Sequence, residues 1–170
     1  LLGRPRTASA DQDWSATWET IPEQGPSGRL TLSMLGSQDR TVTVADGPDG
    51  LARLLDLDPE AHAVPYLLAR DTAPAQFVSV IEPGADAGPV ESVRSVAPAG
   101  PSAQFPPVGV AVSLTDGTTD YLFSTDGRDS LCATDRDWSF ETDAEAGGVR
   151  IQHDTIEAAF LERGSTLSVT

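Results

Sequence analysis

Hydrophobic and polar positions alternate with a period of two along much of this chain, most clearly from Val108 to Thr125, VGVAVSLTDGTTDYLFST. Two β-prone runs flank Asp116-Gly117, a dipeptide that takes the positive φ angles of a tight hairpin turn. In the first arm Val108, Val110, Val112 and Leu114 alternate with Gly109, Ala111 and Ser113, so one face is bulky and the other small. In the second arm Tyr121 and Phe123 share a face opposite Asp120, Leu122 and Ser124. The pattern predicts a buried hairpin at the centre of a sheet core.

The same reading extends outward. Trp14 to Thr20 puts Trp14, Ala16 and Trp18 on one strand face and Ser15, Thr17 and Glu19 on the other. Arg29 to Leu35, Arg40 to Val44, Val64 to Asp71, Gln76 to Glu82 and Val90 to Val96 carry similar strand patterning, with turn residues between them. Leu1 to Asp13 is polar and unpatterned, a lead-in strand or loose segment. Leu51, Leu54 and Leu55 sit at helical spacing between Gly50 and Ala63, which predicts a short helix or an irregular excursion ended by Pro59. Alanine, proline and glycine dominate from Ala97 to Pro107, a linker between strands. Trp138 to Thr142, Val149 to His153 and Leu167 to Thr170 read as further strands, with Ser124 to Asp137 polar between them and the hairpin. Thr155 to Arg163 is ambiguous, because Asp154 with Glu157 resembles a helix start, Ile156, Ala159, Phe160 and Arg163 keep helical spacing, and Gly164 would stop a helix. About ten or more short strands with little helix predict an all-β fold, an antiparallel β-sandwich. The expected organisation is a lead-in over 1–13 and a single β-sandwich domain over 14–170.

Length supports this, since 170 residues bury roughly two-thirds of their unfolded surface as one domain. All eleven cationic side chains are arginines, and the chain contains neither lysine nor asparagine. That excludes a P-loop, a Schiff-base nucleophile and an N-glycosylation acceptor, and it leaves turns to Asp-Gly. A net charge of −15, spread along the chain, repels phosphate backbones and anionic membranes, so nucleic acid is not an expected partner. No apolar run approaches the length of a membrane span, and no signal peptide is present in these residues. The opening Leu1-Leu2-Gly3-Arg4-Pro5 lacks an initiator methionine and reads as a fragment or a processed product.

Candidate chemistry is sparse. The single Cys132 has no partner for a disulfide and reads as a small buried hydrophobe or a surface thiol. His62 and His153 lie in unrelated segments without metal-ligand spacing, so no metal site is expected. Asp46-Gly47-Pro48-Asp49-Gly50 is acidic and glycine-rich, which raises calcium, yet the spacing is not that of an EF-hand loop and turns use the same residues. Glu82, Glu91, Asp116, Asp120, Asp126, Asp135 and Asp137 fall at strand ends or turns, the places to look for paired carboxylates; with 26 acids such adjacency is expected by chance. No nucleophile elbow is present. No catalytic residue and no cofactor are assigned. Trp14, Trp18 and Trp138 are the candidates for stacking on sugar rings, against the alternative that they fill a sheet core.

The order of these features resembles the carboxy-terminal β-sandwich region of heparinase II/III-like polysaccharide lyases. The likeness runs from about Trp14 to the end and is carried by the Trp-x-x-x-Trp strand, RLTLSML, the Asp-Gly-Pro turn, YLLARDTAPAQFVSVIEP, VESVRSVA and DGTTDYLFST. Its most telling pieces are Gln76 to Pro83, a phenylalanine-led strand ending in Glu-Pro, and Asp120-Tyr121. The resemblance implies a bacterial secreted or periplasmic enzyme that cleaves acidic polysaccharide by β-elimination, with its catalytic tyrosine and histidines on an α/α-toroid. None of that toroid is in this sequence, and Tyr66, Tyr121, His62 and His153 do not sit in the family's catalytic motifs. The implied role is therefore non-catalytic: a β-sandwich that packs on a catalytic toroid domain or chain and walls the polysaccharide cleft, where Arg70, Arg94 or Arg128 could touch a uronate. The alternative is a free-standing carbohydrate-binding or surface-adhesion β-sandwich.

Overall fold

The computed structural model describes residues 3–20, 27–48, 63–72, 76–84, 88–96, 98–99, 107–125 and 130–170. Fifteen strands run through them: β1 (Gly3–Ser9), β2 (Trp14–Thr20), β3 (Gly28–Met34), β4 (Thr41–Pro48), β5 (Ala63–Arg70), β6 (Ser79–Gly84), β7 (Val90–Ser95), β8 (Pro98–Ala99), β9 (Val108–Leu114), β10 (Thr118–Ser124), β11 (Leu131–Asp135), β12 (Trp138–Thr142), β13 (Ala146–Gln152), β14 (Thr155–Glu162) and β15 (Leu167–Val169). Among the described residues no helix occurs. The all-β expectation is met, in four sheets with orders β1-β4-β5, β2-β3-β6, β14-β13-β10-β9-β7 and β15-β12-β11-β8, their strands paired antiparallel. The chain forms two compact units, Leu1–Trp14 with Gly36–Gln76, and Ser15–Leu35 with Phe77–Thr170.

The first unit holds β1, β4 and β5, so the lead-in is a paired strand, Arg6 to Ser9 lying opposite Val44 to Thr41. Its tie is Arg40, 2% exposed, whose Nε and Nη2 donate to Asp71 Oδ2 at 3.1 and 3.0 Å. A buried cation needs such a partner, because an uncompensated charge costs several kcal/mol.

In the second unit the predicted hairpin is the centre. Tyr121 and Phe123 of β10 face Leu131, Ala133 and Phe140 of the four-stranded sheet in one buried cluster, completed by Ala111, Val149 and Ile151. Tyr121 and Phe123 both stack tilted on Phe140, at 4.6 and 5.1 Å between centroids. The bulky side of β9 goes the other way, Val110 and Val112 meeting Leu35, Val78, Val80, Val90 and Val93 in a second cluster. Strand β9 is thus buried on both faces. Its small side is required: a Cβ on Gly109 would lie 2.8 Å from the Val96 carbonyl oxygen, and that approach accompanies the hydrogen bond from Val96 N to Gly109 O.

Turn chemistry departs from expectation in two places. At Asp116-Gly117 only Gly117 has positive φ, +83°; Gly117 N donates to Leu114 O and Thr118 N to Asp116 Oδ1. The connection is therefore a three-residue loop closed by a left-handed glycine, not a two-residue primed turn. At 155–163 the helical reading fails. His153 and Asp154 have φ of 48° and 59°, Gln152 pairs with Thr155, and the chain folds back as β14. The polar stretch before Trp138 likewise contains β11, joined to β12 through Arg136 at φ 52°. The short helix expected after Gly50, most of the 97–107 linker, His62, Asp126 and Arg128 lie outside the described residues, as do Asp49 and Gly50; Asp46, Gly47 and Pro48, expected in a turn, instead continue β4 opposite Pro65, Val64 and Ala63.

Candidate functional site

Because β10, β13 and β14 are paired, alternation fixes which side chains share their outer face. Asp120 lies opposite Arg150 and Leu122 opposite Gly148; Gly148 in turn lies opposite Phe160, and Arg150 opposite Ala158. The intervening Tyr121, Phe123 and Val149 point into the core. These six outer positions line an open cup of about 260 Å3. On one side Arg150 Nε and Nη2 donate to Asp120 Oδ1 and Oδ2, each at 2.7 Å, a two-pronged pair. The hydrogen bond to Asp120 and its negative charge raise the Arg150 guanidinium further above its ordinary value, so it stays cationic. On the other side Phe160 is 55% exposed and Leu122 40%. Gly148 makes their placement possible, since a Cβ there would lie 2.5 Å from Phe160 Cε1 and 2.9 Å from Leu122 Cδ2.

A second polar cluster sits between the two main sheets of this unit. Arg94 of β7 donates through Nη1 to Asp135 Oδ1, and the Tyr121 hydroxyl donates to Asp135 Oδ2 at 2.9 Å. Burial opposes the Asp135 charge, but Arg94 and Tyr121 outweigh it and hold its carboxyl below the usual carboxylate range. Burial, then the Asp135 hydrogen bond, raise the Tyr121 phenol. A tyrosine 3% exposed, protonated and donating to a carboxylate, is a structural tie between sheets.

The sequence candidates are dispersed. Trp138 packs half-buried against the main core, and Trp14 and Trp18 are also half-buried. The hydroxyls of Thr17 and Thr31 meet at 3.2 Å, which places them on one side of the β2-β3-β6 sheet, and alternation then puts Ala16 and Trp18 on the other. That other side also carries the cross-strand pairs Leu32 with Ile81 and Leu30 with Pro83, and Ile81 is 61% exposed and Leu30 40%. Trp18 thus belongs to an apolar sheet face instead of an isolated stacking row. Of the acids, Asp116 closes its turn, Asp120 pairs with Arg150, Asp135 with Arg94, and Glu82 accepts from Val90 N at 2.8 Å. His153 is an exposed turn residue, Cys132 an exposed thiol, and Arg70 an exposed strand end. Among the described residues no group of three or more His, Cys, Asp or Glu is placed to hold a metal ion.

No family model, curated protein or solved structure matches the chain. The sequence does not show the cup because Thr155 to Arg163 reads ambiguously, with Phe160 also at helical spacing; the signal that finds it is the period-two set Ala158, Phe160, Glu162 beside Gly147-Gly148.

Proposed function

We propose that this chain is the non-catalytic β-sandwich region of a polysaccharide lyase of the heparinase II/III-like kind, bracing the catalytic toroid and helping to wall the acidic-polysaccharide cleft. One observation carries the reading beyond resemblance: the outer face of β2-β3-β6, where Ile81 at 61% and Leu30 at 40% exposure lie beside Trp18, Leu32 and Pro83. An apolar sheet face of this kind is costly in water and marks a place where another body packs. The polar groups inside the second unit are consistent with bracing, because Arg94, Asp135 and Tyr121 hold two sheets together.

The test uses the chain with and without the α/α-toroid body that this reading requires. Alone, it releases no unsaturated uronate from acidic polysaccharides, read by ultraviolet absorbance. Together, the two associate, and Ile81→Glu weakens association by about tenfold or more, the scale of one buried aliphatic anchor. Turnover by the isolated chain, or association indifferent to Ile81→Glu, sinks the reading.

A further inference from the structure

The cup on β10-β13-β14 is unrelated to the apolar face that carries the bracing role, and its lining has a specific chemistry. One wall is the aromatic ring of Phe160, held over Gly148 in a residue that is 55% exposed. The facing wall is the Asp120–Arg150 pair, in which Asp120 is 24% and Arg150 51% exposed. The pair uses two of the five guanidinium N–H groups and one lone pair on each carboxylate oxygen, so donors and acceptors remain side by side. The floor, Ala158 and Gly148, offers no bulk.

We propose that this cup binds a neutral pyranose unit of a glycan, its C–H face stacked on Phe160 and two adjacent hydroxyls shared between Asp120 and Arg150. A pyranose presents an apolar face bounded by a rim of hydroxyls that both donate and accept, which matches the two walls. A volume of about 260 Å3 accommodates one such ring. Charge selects a neutral sugar over a uronate: Arg150 is already neutralised by Asp120, Glu162 continues the same side of β14, and the chain carries −15 overall. An extended peptide fits less well, because it would add to β14, an edge strand among the described residues, and the pairing of β14 with β13 slips between Arg150 and Ile151. Such a bulge twists an edge away from strand addition. The assignment does not depend on the bracing role.

The experiment follows amide shifts of the intact 170-residue chain titrated with neutral xylo-, manno- and cello-oligosaccharides and, for contrast, oligogalacturonate. At least one neutral series perturbs Leu122, Gly148, Arg150 and Phe160, while oligogalacturonate leaves them unmoved. Phe160→Ala weakens that binding by about tenfold, the loss of an aromatic contact, and Phe160→Trp retains it. Asp120→Asn, which preserves shape, also weakens it. Absence of any neutral response, equal or stronger binding of the uronate, or binding that survives Phe160→Ala overturns the proposal. So does concentration-dependent broadening along β14 without sugar, which would show a second copy on this face.

Discussion

At Arg94 a guanidinium 25% exposed meets a carboxylate 13% exposed, and Nε and Nη2 remain buried without a partner. Removing the cation leaves Asp135 between two sheets with the Tyr121 hydroxyl and the charge of Arg136 as its remaining support. Arg94→Ala is expected to destabilise by about 1–3 kcal/mol, read as a shift of the urea midpoint at unchanged slope; a shift under a few tenths would show that the tie contributes little. Asp143 is a simpler case. Its carboxylate accepts from Ser165 Oγ at 2.6 Å and from the Ser165 and Thr166 amides at 2.8 Å each, and these bonds, the Ser165 hydroxyl foremost, hold it well below the usual carboxylate range. Because the folded value is depressed, its stabilisation is present above the unfolded value of about 3.9 and is lost as pH falls through the folded one. Asp143→Asn should therefore lower Tm at neutral pH, and the gap from the unsubstituted protein should narrow steadily below about pH 4. A gap constant with pH would remove the carboxylate from the account.

At the scale of elements, the lesson lies in β13 and β14. Without asparagine, the chain puts His153 and Asp154 in the left-handed region where Asn-Gly is the usual choice. That turn was invisible in the sequence because neither residue advertises it, and the helical spacing of Ile156, Ala159 and Phe160 left the segment ambiguous. The substitution pair His153→Asn with Asp154→Gly should stabilise by about 1 kcal/mol, relieving left-handed strain, measured by thermal and urea unfolding; no gain would mean that local bonds already compensate the two φ angles. Strand β9 shows the opposite outcome. Its alternation was legible, yet which face would be buried was not, because both are: Val110 and Val112 enter one cluster and Ala111 the other. The small residues of the second face are explained by what crosses them, the Val96 backbone and the Phe123 ring.

For the molecule as a whole, 26 acids against eleven arginines make self-repulsion a standing cost, only locally relieved by pairs such as Arg150–Asp120 and Arg163–Glu145. Screening shortens the reach of that repulsion to about 8 Å at 0.15 M salt, so Tm at neutral pH should rise between about 0.01 and about 0.3 M sodium chloride, roughly one and a half decades in ionic strength. A fall instead would mean that the ion pairs outweigh the net charge. What the sequence determined by itself was the class of fold, since period-two alternation and turn residues are local properties that survive without knowledge of neighbours. It also determined the central hairpin, whose aromatic face could only be a core. The tertiary structure alone decided the partners: which sheet covers each side of β9, that Arg94 reaches Asp135, and that Phe160, Leu122 and the Asp120–Arg150 pair surround one cup. Such juxtapositions join residues as distant in sequence as Leu35 and Val112, and pairing register, to which composition is blind, sets them.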